Sequence, residues 1–113
     1  REALLQLTRE GVLQADMENL AEAERTLRHA LRLAQSAIGT DHIETAITLI
    51  NLASVLQERG KAAETLQHVS EARTILENLE KDRATRHPLI PALRRACEAI
   101  AKLATPEQAV SAE

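Results

Sequence analysis

The sequence predicts an all-α fold, an α-α superhelix (solenoid) of antiparallel helix hairpins with about five helices. Three observations carry this expectation. Apolar residues recur at i, i+3, i+4 and i+7, most clearly in Leu49, Leu52, Ala53 and Leu56 and again in Leu66, Val69, Ala72 and Leu76. Only a short break at Gly60-Lys61 separates these runs, so the two helices must fold back on each other as an αα-hairpin. The hairpin also has a counterpart upstream. Gly11, Ala23, Leu27, Ala30 and Leu33 are matched 42 residues later by Ala53, Thr65, Val69, Ala72 and Ile75, in size and polarity more than identity. A period of about 20 to 50 residues marks a helical repeat. A hairpin that cannot bury its apolar face alone stacks on its neighbour.

The first helix is expected from Arg1 to about Asp16, with the stripe Leu4, Leu7, Gly11 and Ala15. Gly11 in its interior costs about 1 kcal/mol relative to alanine, which points to close approach of another helix. Met17, Glu18 and Asn19 form the turn. The second helix spans Leu20 to Ala37, and Gly39 sits just past its end. These two make a first hairpin, 1–38. Thr40 and Asp41 offer caps for a third helix from about His42 to Arg59, with Asp41 and Glu44 in the spacing of a capping box. The fourth helix runs from about Ala62 to Leu79 or slightly beyond, completing a second hairpin, 42–80. The polar stretch from Glu77 to Arg86 reads as a helix end and loop. Pro88 and Pro91 belong in a first helical turn, so a fifth helix begins at 88 to 90. Its stripe is Leu89, Leu93, Cys97 (or Ala96) and Ile100, and it caps the second hairpin over 88–104. His87 follows His42 by 45 residues, so this third unit is offset by three. Residues 1–104 thus form one domain, and 105–113 read as a flexible tail.

Composition narrows the function. The 113 residues include no Phe, Tyr or Trp, so Leu, Ile, Val and Ala must build the core. A chain of this size buries about 65% of its extended surface. The net charge of -3 is interspersed. The most basic stretch (Lys81, Arg83, Arg86, Arg94, Arg95) has no aromatic platforms beside it, so no nucleic-acid partner is expected. No apolar run of about 18 residues exists to span a membrane. A single cysteine excludes an internal disulfide and fits a reducing, cytoplasmic compartment. The chain opens inside a helix and is expected to be part of a longer polypeptide.

Enzymatic readings find little support. His29, His42, His68 and His87 lie in separate elements without metal-ligand spacing. Cys97 falls on an apolar stripe, where a structural role is expected. Glu22, Glu24, Glu77, Glu80 and Asp82 are placed on solvated faces. Gly11, Gly39 and Gly60 each have a structural duty and form no phosphate loop. No catalytic residue, cofactor or metal is therefore expected.

The series Gly39-Thr40-Asp41-His42, Thr45-Ala46, Leu49-Ile50-Asn51-Leu52-Ala53, Gly60-Lys61, then Thr65, Val69 and Ala72 resembles a tetratricopeptide repeat. With its Asp-His and Asn-Leu-Ala signatures it is similar to the 42-residue form found in kinesin light chains and many bacterial regulatory proteins. The family's usual core Tyr or Phe is here Leu27, Leu56 or Val69, and Arg94-Arg95 stand where a third copy at strict spacing would place Leu-Ala. The resemblance implies a non-enzymatic protein-protein interaction module. In it the first helix of each pair lines a concave groove for a peptide or partner helix. The matching positions are Thr8 and Val12, with Ala15 at the edge, and Ile47, Ile50, Asn51, Ser54 and Gln57. Asn51 is the position from which family members bond a ligand backbone; bonding to a neighbouring helix is the other role open to it. Ile47 and Ile50 would add apolar contact, unless the fifth helix covers them. The carboxylate clamp of some members needs a basic residue at Thr8 and an asparagine at Val12, and has neither here. A second expectation is a structural or homo-oligomerising segment of a larger regulatory protein, its first hairpin pairing across a two-fold axis.

Overall fold

The computed structural model describes residues 2–82 and 87–105. These form α1 (Glu2–Asp16), α2 (Leu20–Ala37), α3 (Ile43–Glu58), α4 (Ala62–Lys81) and α5 (Ile90–Ala104), with no strand among the described residues. The helices fall where the apolar period and the glycine and proline punctuation place them. The expected tail beyond Thr105 and the middle of the loop before α5 lie outside the described residues.

Packing follows chain order. α1 packs on α2, α2 on α3, α3 on α4 and α4 on α5, while α3 also meets α5 and grazes α1. The core is accordingly a series of clusters. Leu4 with Ala30 and Ala34 sits inside the first hairpin. Ala23 and Leu27 of α2 meet Leu52, Val55 and Leu56 of α3. The third and largest cluster joins Ala46, Leu49, Ile50 and Ala53 of α3 to Val69, Ala72, Ile75, Leu76 and Leu79 of α4 and Ile90, Cys97 and Ile100 of α5. Serial burial between neighbours is what a solenoid requires.

The two hairpin turns lie 42 residues apart. α1 and α3 end at Asp16 and Glu58; α2 and α4 start at Leu20 and Ala62. Both hairpin turns close with the same pair of bonds. The Glu18 and Gly60 amides donate to the Ala15 and Gln57 carbonyls at 2.9 and 3.0 Å, and the Asn19 and Lys61 amides to Gln14 and Leu56 at 2.8 and 2.9 Å. This is the Schellman arrangement, which needs a left-handed residue. Gly60 supplies it at φ 76°, Glu18 at φ 64°. Inside the hairpins, a Cβ on Gly11 would fall 2.6 Å from Leu27 Cγ, while the equivalent Ala53 shares a cluster with the smaller Val69.

Two local expectations are corrected. The N-cap of α3 is His42, not Asp41: its ring Nδ1 accepts the Glu44 amide at 3.1 Å. Asp41 instead accepts from Asn78 of α4 at 3.3 Å. The imidazole reaches the same orphan amide that an aspartate would. His87 makes the same contact two residues on, accepting from the Leu89 amide at 3.1 Å, but the N-cap of α5 is Leu89 and has no side-chain cap. Glu24, expected in solvent, is only 7% exposed and lies against the next hairpin.

Candidate functional site

α1 and α3 lie side by side on one surface because each is the first helix of its hairpin and the hairpins stack in register. Between them is a recess of about 130 Å³ lined by Val12, Ala15 and Asp16 of α1, Asn51, Ser54, Val55 and Glu58 of α3, and Leu27 of α2. Leu27 and Val55 are buried and make its floor. Three of the expected groove residues, Val12, Asn51 and Ser54, thus converge, with Ala15 beside them. The Asn51 side-chain amide is half-buried and makes no hydrogen bond within the described residues. Of the two roles open to it, bonding to a neighbouring helix is therefore not used. A half-buried amide without a protein partner is free to bond a ligand.

The remaining candidates separate. Thr8 lies on the exposed face of α1 with Leu5, Arg9, Val12 and Leu13, and its hydroxyl donates to the Leu4 carbonyl at 3.0 Å. Ile47 is half-buried on α3. Ile50 is 6% exposed and belongs to the core cluster shared with α5. The fifth helix covers it, so it offers nothing to a partner in this arrangement. Gln57 borders a different recess, with Gly60, Ala62, Leu103 and Ala104.

Sequence reasoning missed two features here. Asp16 and Glu58, at the rim, are the same repeat position 42 residues apart, a signal present in the register but not used. The second is the ionic tie behind the groove. Glu24 accepts from Arg28 Nε at 2.9 Å, Arg59 Nη1 at 2.6 Å and Lys61 Nζ at 3.0 Å, and Arg28 reaches on to Glu64 at 2.7 Å. Burial works against ionisation of Glu24, but hydrogen bonds from Arg28 and Lys61, reinforced by their charges, outweigh it and hold its pKa below the ordinary value. The tie links α2 to the α3–α4 turn and the start of α4.

Among the described residues, no group of three or more His, Cys, Asp or Glu is placed to hold a metal ion, and no helix is long and apolar enough to cross a membrane. Burial pushes the Cys97 thiol pKa up, away from the thiolate that a nucleophile needs.

A family model described as tetratricopeptide repeat matches residues 3–78, the span of α1 to α4 up to the last turn of α4. No curated protein and no solved structure matches the chain. With two hairpins stacked in register and that match covering most of its length, the chain belongs to the tetratricopeptide repeat family.

Proposed function

We propose that the chain is a non-enzymatic module that holds a peptide or a partner's helix against the surface formed by α1 and α3. The observation that carries this reading is Asn51, an amide with no hydrogen-bond partner among the described residues, set in a recess that both hairpins build. A ligand backbone would satisfy it while apolar side chains rest on Val12 and the exposed Leu5. The 42-residue spacing of the two hairpin turns supports placing the repeats with the 42-residue, kinesin-light-chain type, and the single buried Cys97 fits a cytoplasmic setting.

The test is selection of peptides from a random displayed library on the whole chain, with Ser54→Arg as the counter-screen because it fills the recess. Peptides that bind the wild type and not Ser54→Arg support the groove. A selection that yields no such peptide overturns it. A second reading, pairing of two copies through α1, is favoured by the exposed Leu5, Val12 and Leu13 on one face. Sedimentation equilibrium of wild type against Leu13→Glu decides it: a dimer that the substitution converts to monomer supports it, and a wild-type monomer eliminates it.

A further inference from the structure

We propose that the recess between α1 and α3 seats a lysine or arginine side chain of the bound polypeptide. This rests on the groove reading above and adds the chemistry of the occupant. The recess is narrow and its floor is apolar, with Leu27 and Val55 beneath and Val12 and Ala15 at the side. Its volume of about 130 Å³ admits a single side chain and not a helix. The rim carries two carboxylates, Asp16 and Glu58, one at the end of α1 and one at the end of α3. Both are exposed, and neither makes an ion pair or hydrogen bond among the described residues.

These carboxylates stand where a helix least favours them. The last turn of a helix presents unpaired carbonyls and a partial negative charge, which cations stabilise. Neither α1 nor α3 has a basic residue in its last turn. Two helix ends and two carboxylates therefore place negative charge at one mouth, while Arg59 and Lys61, the cations that follow Glu58, are engaged by Glu24 behind the groove. Arg9, on the same helix as Asp16, is nearly two turns away, about 10 Å along the axis. A long cationic side chain matches the recess in both parts. Its methylene stem covers the apolar floor, and its charge reaches the carboxylates in water. An acidic residue would be repelled, and a purely apolar one would leave the rim charges without a partner.

The test re-measures the groove-dependent peptides from the selection above by fluorescence anisotropy. Each is compared with a version carrying methionine in place of its lysine or arginine, on wild type and on the Asp16→Asn/Glu58→Gln double variant. The expected result is a Lys or Arg in the groove-dependent peptides, about tenfold weaker binding when it is replaced, and no such difference on the double variant. The double variant should melt no lower than wild type, because the charges removed oppose their helix dipoles. Groove-dependent peptides that lack a basic residue, or that bind the double variant undiminished, overturn the cation seat and leave the groove reading standing. Absence of any groove-dependent peptide removes both.

Discussion

At the scale of single residues, the two hairpins solve one packing problem with opposite choices. Where α1 crosses α2, glycine faces leucine; where α3 crosses α4, alanine stands with valine. Each pair keeps the summed volume nearly constant, which close packing demands. Gly11→Ala should therefore lower stability despite better helix propensity, with a gain of about 1 kcal/mol set against an overpacking cost of about 1–3 kcal/mol. In a Leu27→Val background the clash is removed, so urea unfolding of the four forms should show coupling of about 1 kcal/mol or more. Strict additivity would mean that Leu27 does not set the need for glycine. Glu18 is the second such residue. Its left-handed backbone costs an L-residue about 1–2 kcal/mol, and its repeat partner is Gly60. Glu18→Gly should raise the urea midpoint, by about 1 kcal/mol of stability, with an unchanged slope; a lowered midpoint would refute the strain. Gly11 as a point of close approach was legible in the sequence, since an interior glycine in a helix has few other reasons. Glu18 was not, because acidic residues in a turn carry no mark of a positive φ.

Among elements, the joints matter more than the helices. The α2 to α3–α4 joint holds Glu24 with three cations. Its carboxyl is depressed in the folded state, so the unfolded chain binds more protons at acidic pH, and stability rises with pH through that window. The contribution is fully present above about pH 4.5, the ordinary value, and is lost as pH falls through the lowered folded value. Urea unfolding between pH 7 and pH 3 should show this loss, and Glu24→Gln should flatten it. Glu24→Gln should also cost about 1–3 kcal/mol at pH 7, since three hydrogen-bonded cations lose their charge partner. An unaltered pH profile in the variant would assign the acid sensitivity elsewhere. Amphipathic pattern alone could not place this carboxylate. It follows Ala23 on the edge of the apolar stripe, and only the neighbouring hairpin decides whether that edge is wet.

For the whole molecule, α5 is the element that covers the second hairpin. It buries Ile50 and the outer side of the α3–α4 cluster beneath Ile90, Cys97 and Ile100. Burying each large aliphatic side chain contributes about 1.5–3 kcal/mol, so losing Ile90 and Ile100 removes about 3–6 kcal/mol, comparable to the whole stability of a small domain. A chain ending at Lys81 should therefore lose its cooperative thermal transition and bind the dye ANS, whereas a sharp melt within a few degrees of the full chain would show that α5 is dispensable. Where α3 docks on α2 with Leu52 and Leu56, the matching positions of α1 are Glu10 and Gln14. Leu13 breaks this pattern: it is 58% exposed, while its repeat partner Val55 is 3% exposed. It lies on the α1 face for which pairing of two copies is proposed.

What the sequence determined by itself is periodic and local. Helical spacing of apolar residues, the glycines after α2 and α3 and the prolines at the start of α5 are properties of neighbours along the chain, and they mark where each helix begins and ends. Only the tertiary structure decided which side of each helix stays open. Asn51 and Ile50 are adjacent on α3 and look equally available in sequence, yet one lines the recess and the other lies under α5. Burial depends on where a distant helix comes to rest, and a packing partner some forty residues away leaves no trace at the residue it covers.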